Sequence, residues 1–237
     1  MNIVADLHIH TVASGHAFST ISEITEFASK NKLQAIGISD HSVAMPEGAH
    51  DYYFSNLKAI PRKHGDLEVY RGAEVNIIDK NGNLDLHPET QVKLDYLIAS
   101  MHSGGVSPEY LSVAENTAIW EKVMENPYVK ILGHPGNPKF PINIERFVYC
   151  AKINKKIVEL NNGSFIVRQG SEKNIREIIS EAINQKVYLI ISSDAHFASS
   201  VGKVDKVLSI VREMKVPEEL IINTSLKKLK RCLEFEI

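Results

Sequence analysis

Asp6-Leu7-His8-Ile9-His10 closes an apolar run that begins at Ile3, and the rest of the chain is organised around these five residues. In an extended strand successive side chains leave opposite faces, so Asp6, His8 and His10 project one way and Leu7 and Ile9 the other. Two imidazoles then share a face roughly 7 Å apart along the backbone, within reach of one metal ion. A single His-x-His triplet in a chain with 10 histidines fits an ordinary surface or core strand equally well. The balance shifts because later apolar runs also end in a histidine or a carboxylate.

Those runs are Ala35 to Ser39, Leu67 to Val75, Tyr96 to Met101, Val129 to Leu132, Lys156 to Leu160 and Val187 to Ser192, which with Ile3 to Ile9 makes seven strands. Amphipathic segments alternate with them, the pattern of successive βα units around a parallel sheet. Ser19 or Thr20 caps a helix reaching Lys30, Asp51 opens one towards His64, and Pro108 starts one that stops before Asn126-Pro127. Asn143 to Asn154, Ser171 to Asn184, Val204 to Met214 and Ser225 to Phe235 are the remaining helices, and Ile77 to Leu86 reads as a small hairpin turning at Asn81-Gly82. In the last helix Leu226, Leu229 and Leu233 share one side, while Lys227, Lys228, Lys230 and Arg231 form a solvated face.

Composition sets the outer bounds. At 237 residues, 43% hydrophobic and 24% charged, with no repeat or low-complexity linker, residues 1–237 read as one α/β domain, since barrels of this kind commonly form a single unit of such length. The charges interrupting the first thirty residues argue against a signal peptide and no stretch approaches a membrane span, so a cytoplasmic protein with no membrane partner is expected. Cys150 and Cys232 stand far apart and outside any Cys-x-x-Cys motif, which points to buried thiols. A net charge of −2 supplies no basic footprint for a stable nucleic-acid partner.

Placed on the strands, the metal-type residues converge. The first strand ends in His8 and His10, the second meets His41, the third carries Glu74, the fourth meets His102, the fifth meets His134, and the seventh is followed by Asp194 and His196. In a parallel barrel the carboxyl ends of the strands open on one face, where active sites sit, so residues far apart in sequence become neighbours. His16, in the loop after the first strand, can reach the same mouth, whereas His50, His64 and His87 follow no strand and read as surface groups. These nine residues exceed the ligand set of one ion, because zinc takes about four ligands. If Glu74 bridges with its two oxygens, they supply enough bonds for about three ions. Zinc suits them best, and manganese or iron would also be accommodated. Asp6 and Asp40 are candidates to orient ligand imidazoles. The sixth strand instead runs into Asn161, Asn162, Gly163, Ser164 and then Arg168. Amides, a hydroxyl and a guanidinium in that position suit phosphate oxygens, with Asn161, Ser164 and Arg168 the candidate substrate contacts.

In this order, Asp6-Leu7-His8-Ile9-His10-Thr11, Asp40-His41, His134-Pro135 and Ser193-Asp194-Ala195-His196 resemble the motifs of the PHP superfamily, named for polymerase and histidinol phosphatase. The resemblance spans essentially the whole chain and implies a distorted seven-stranded, TIM-like (β/α) barrel. Arg71-Gly72-Ala73-Glu74-Val75-Asn76-Ile77 and Glu159-Leu160-Asn161-Asn162-Gly163-Ser164-Phe165 narrow it to stand-alone bacterial phosphatases with a trinuclear zinc site. It implies that Glu74 bridges two ions, with His8, His10 and Asp194 on one, His102 and His134 on a second, and His16, His41 and His196 on a third. The expected activity is hydrolysis of small phosphate monoesters by a metal-bound hydroxide. A histidinol phosphatase or 3'-5' nuclease would share that chemistry. A barrel amidohydrolase would carry a bridging lysine where His102 stands, and a non-enzymatic metal-binding regulatory module would show a degraded ligand set.

Overall fold

The protein is described from a computed structural model, and residues 1–233 are the described part. Among the described residues there are eight strands: β1 (Ala5–Ile9), β2 (Ala35–Ile38), β3 (Lys63–His64), β4 (Leu67–Asn76), β5 (Tyr96–Ser100), β6 (Val129–Leu132), β7 (Ile157–Asn161) and β8 (Leu189–Ser192). All but β3 are parallel neighbours in the order β1-β2-β4-β5-β6-β7-β8, and β3 pairs antiparallel with β4. The seven parallel strands are those expected, with ends that differ by at most two residues. The sheet curls until β8 meets β1 again. There the His10 amide donates to the Ala195 carbonyl at 2.9 Å and the Ala195 amide to the His8 carbonyl at 3.3 Å. The result is a nearly closed α/β barrel of TIM type.

The seam has a second fastening at the opposite end of the barrel. Buried Asn223 donates from Nδ2 to the carbonyls of Ala5 (2.8 Å) and Ile191 (2.7 Å), and its Oδ1 accepts from the Ile191 amide at 3.2 Å. One side chain thus takes the place of ladder bonds that β1 and β8 do not make. Leu229 and Leu233, on the helix Leu226–Leu233, pack into the same buried cluster as Leu7, Tyr96 and Ile98, so this helix stoppers the barrel. Two of its four cations are engaged: Lys230 pairs with Glu68 at 2.6 Å, and Lys228 Nζ donates to the Glu218 and Ile221 carbonyls, while Lys227 and Arg231 are exposed. The end of this helix expected at Phe235 lies outside the described residues.

Strict alternation fails in β1, where pairing to β2 shifts register between Asp6 and Ile9, as at a bulge. Leu7 joins the interior cluster with Tyr96, whereas Ile9 packs with Ile24, Ile36 and Ile38 in a different one. The Tyr96 ring spans the barrel, its hydroxyl donating to the Leu7 carbonyl at 2.7 Å. It fits because β2 and β4 carry glycines beneath it, as a Cβ on Gly37 or Gly72 would come within 2.0 and 2.4 Å of Tyr96.

Two helix expectations are corrected. The segment opened by Asp51 is α-helical only over Asp51–Asn56, continues as a 3-10 turn at Leu57–Ala59, and reaches β3, so His64 is an exposed strand residue. Pro108 does not start a helix. That helix is Val113–Met124, because Ser112 and Glu115 form a reciprocal capping box that fixes its start. The segment from Ile77 to Leu86 turns back at Asn81-Gly82 as expected: Ile77 and Leu84 form an antiparallel bridge, the Ile78 amide donates to the Asn83 carbonyl at 2.9 Å, and Asp79 accepts the amides of Asn81 and Asn83 inside the turn. Cys150 is buried as expected, but Cys232 is only half-buried. Among the described residues no helix is long and apolar enough to cross a membrane.

Candidate metal centre

At the carboxyl ends of the strands, Glu74 occupies the middle of a histidine cluster. Its Oε2 lies 2.8 Å from His41 Nδ1, 3.4 Å from His8 Nε2 and 3.6 Å from His10 Nε2, and its Oε1 lies 2.9 Å from His134 Nε2 and 3.4 Å from His102 Nε2. Asp194 Oδ1 stands 3.3 Å from His10 Nε2 and 3.6 Å from His8 Nε2. The His196 ring is 4.3 Å from that of His10, and the exposed His16 ring lies 4.9 Å from His41 and 5.0 Å from His196. All nine sequence-predicted residues therefore meet at one mouth. His50, His64 and His87 are exposed and play no part in it.

The donor set fits metal ions. His8 Nε2, His10 Nε2, His41 Nδ1, His102 Nε2 and Glu74 Oε2 are buried with no hydrogen-bond partner, although each lies close to others of the set. Buried polar atoms are normally paired, so lone pairs that face one another without a shared proton match ligands around cations. Three groups have ligand atoms mutually within 4.8 Å: His8, His10 and Asp194; His10, His41 and His196; and His41, Glu74 and His102. Ionisation divides the set. Burial would raise Glu74 and Asp194, but the neighbouring imidazoles, His8 first, with Arg168 beside Asp194, hold both well below the usual carboxylate range. Burial pushes His102 down to about 4 and also lowers His10 and His134, which keeps these three rings neutral as ligands must be, whereas His8, which burial alone would lower, is held well above the usual imidazole range by the carboxylates of Glu159, Glu74 and Asp194.

The far nitrogens of the rings are held by residues to which the sequence reading gave no role. His8 Nδ1 meets Glu159 Oε1 at 2.6 Å, His102 Nδ1 meets Asn76 Oδ1 at 2.7 Å, and His10 Nδ1 lies 3.1 Å from Ser14 Oγ. Each contact sets which ring nitrogen carries the proton and hence which faces the cluster. Glu159 and Asn76 are inward-facing polar residues within apolar strands, a pattern that could have exposed them. Asp40 does not touch an imidazole. It accepts from Thr11, from Tyr53 at 2.6 Å and from Ser14 at 2.7 Å, and so acts on His10 through the serine. Asp6 likewise binds Ser193 and the Gly202 amide, fastening the barrel seam. His134 and Asp194 sit at φ 29° and 59°, in the left-handed region, where a residue other than glycine stores about 1–3 kcal/mol of strain.

The sixth strand-end expectations divide. Asn161 and Ser164 are buried, and Asn161 is committed to Glu159 and Asp194 through Nδ2 and to the Ser164 amide through Oδ1. Asn162, Gly163 and Arg168 instead line a cavity of about 780 Å³ over the cluster, which His16, His41, His102, Asp194 and His196 also border. Arg168 Nη1 donates to Asp194 Oδ2 at 3.1 Å and to Ser164 Oγ at 3.3 Å.

A family model for the PHP domain matches residues 6–166. The chain belongs to the PHP domain family. It is 44% identical over 235 residues to a probable phosphatase of Caldanaerobacter subterraneus subsp. tengcongensis, covering 99% of this chain and 92% of that one. A probable phosphatase of Acetivibrio thermocellus is 42% identical over 234 residues, covering 99% and 96%. The fold is also that of the histidinol phosphate phosphatase from Lactococcus lactis subsp. lactis, solved with zinc, L-histidinol and phosphate. The TM-score is 0.57 at 13% identity, with 90% of this chain and 94% of that one covered.

Proposed function

We propose that this protein is a metal-dependent phosphatase that hydrolyses small phosphate monoesters. The observation that carries this is the set of buried, unpartnered imidazole nitrogens around Glu74, two of whose residues, His41 and His102, border a cavity that Arg168 also lines. His8, His10, His16, His41, Glu74, His102, His134, Asp194 and His196 are the proposed ligands, for about three ions, chiefly zinc, with Glu74 bridging. Ions held there would supply a water ionised near neutral pH and positive charge for the phosphate oxygens. Water adds to phosphorus as the bond to the leaving oxygen breaks, the proton lost by the water ends on that oxygen, and an alcohol and inorganic phosphate result.

The chain's own residues do the positioning. Glu159, Asn76 and Ser14 fix the ring orientations, and Arg168 keeps Asp194 in place while presenting cationic N–H groups to the cavity. Two relatives named probable phosphatases, and a neighbour of the same fold solved with zinc and phosphate, support the reading. The test is to load purified protein with zinc, manganese or iron, count the bound ions, and screen phosphate monoesters, diesters, DNA and amides. More than one ion per chain and fastest turnover of small monoesters are expected. A reproducible single ion, or DNA as the best substrate, would overturn the trinuclear or the monoesterase assignment respectively.

A further inference from the structure

The cavity over the cluster has a second wall that metal binding does not explain. Phe18, Ile166, Val167 and Phe197 border it and are 73%, 78%, 69% and 53% exposed. Single exposed apolar side chains are ordinary, whereas several bordering one concave site mark a binding surface. Their placement ties them to the site. The Phe18 amide donates to the His196 carbonyl at 2.9 Å, and the Ala198 amide donates to Ser19 Oγ at 2.9 Å, so the loops bearing Phe18 and Phe197 are fastened together beside a proposed ligand. Ile166 and Val167 belong to the short helix Ser164–Val167, which leads directly into Arg168.

The rim also carries charge. Lys203 and Lys206 line the cavity on the side of Asp205, while its other carboxylate, Asp194, is paired with Arg168. The amides of Lys206 and Val207 both donate to Asn162 Oδ1 at 3.2 Å, anchoring the start of the helix Asp205–Glu213 to the turn after β7. The site thus runs from metal ligands, through Arg168, to apolar walls and two lysines. A phosphate alone would leave most of about 780 Å³ unused.

We propose that this cavity receives the leaving group of the ester and selects alcohols with an aromatic or bulky apolar body that bears an anionic group at its far end. The proposal rests on the monoesterase reading above. Apolar walls disfavour polyhydroxylated alcohols, whose hydroxyls would lose water without gaining partners. The lysines disfavour a cationic leaving group.

Benzyl phosphate and methyl phosphate test it, because their leaving alcohols are of similar acidity and differ in the ring. With the metal-loaded protein, kcat/KM for benzyl phosphate should exceed that for methyl phosphate about ten-fold or more. The ratio should fall towards unity in Phe18→Ala/Phe197→Ala. A 4-carboxybenzyl ester should be preferred over a 4-aminomethylbenzyl ester, and that preference should shrink in Lys203→Ala/Lys206→Ala and at high salt. Calorimetry should find benzylphosphonate bound more tightly than methylphosphonate. Equal hydrolysis of the benzyl and methyl esters overturns the leaving-group pocket and leaves the phosphatase reading intact. If no ester is cleaved at full metal loading, the phosphatase reading falls, and the phosphonate affinities alone then decide whether the pocket stands.

Discussion

His8 Nδ1 and Glu159 Oε1 lie 2.6 Å apart across the barrel interior, and neither side chain reaches solvent. The contact places the His8 proton on Nδ1 and turns Nε2 towards Glu74 and Asp194. Glu159 also accepts the His134 amide through Oε2 at 2.7 Å, so one carboxylate braces two proposed ligands. Glu159→Gln keeps the shape but loses the charge that strengthens the bond. Metal affinity should fall about 10–100-fold. Chelator competition measures this, and an unchanged affinity would show that Glu159 does not orient His8.

Glu74 and His16 differ in how many partners they can serve. Glu74 approaches five imidazoles with two oxygens, whereas His16 sits exposed on a loop with its ring beside those of His41 and His196. Glu74→Gln should therefore cost more activity than His16→Ala at matched metal content. It should also lower the number of ions retained. Wild-type turnover in Glu74→Gln would remove Glu74 from the site.

Residues at strand ends were legible in the sequence because a parallel barrel gathers such ends at one face, so His41, His102, His134 and Asp194 needed only their strands to be found. Glu159 and Asn76 were not legible as orienting groups, since their partners His8 and His102 lie 151 and 26 residues away. Asn161 misled for a related reason. At the end of β7 it reads as a ligand for substrate, yet its amide is spent on Glu159 and Asp194. Pro108 misled because proline at a first helical turn is a permissive signal, whereas the box formed by Ser112 and Glu115 supplies actual hydrogen bonds.

Asn223 offers a test of the fold independent of the metal. Asn223→Ala would leave the Ala5 carbonyl and both backbone groups of Ile191 without its side-chain bonds, in a place with no solvent access. Buried groups left unpaired cost about 1–3 kcal/mol each. The variant should lose about 3 kcal/mol or more of unfolding free energy in denaturant titrations. Metal content of the folded protein should stay at the wild-type level, because the seam it fastens lies at the end of the barrel away from the cluster. A stability within 0.5 kcal/mol of wild type, the range of an ordinary surface change, would show that Asn223 is not a seam fastener.

Arg168 is pulled in two directions, and its variants separate them. Its guanidinium pairs with Asp194 at 3.1 Å with little solvent access, yet it also borders the cavity. If its work is confined to Asp194, Arg168→Ala should release metal and lower turnover without a specific effect on substrate binding. If it grips the phosphate as well, the Michaelis constant for a small monoester should rise even in variant protein reloaded to full metal. Losing a hydrogen bond to a charged group costs about 1.5–3 kcal/mol, which corresponds to about 10–100-fold. The second outcome is expected, because the guanidinium has five donors and Asp194 and Ser164 engage Nη1 alone among the contacts described. Arg168→Lys should recover part of the loss, since it restores the charge but not the planar fork. An unchanged Michaelis constant in reloaded Arg168→Ala would confine this residue to holding Asp194.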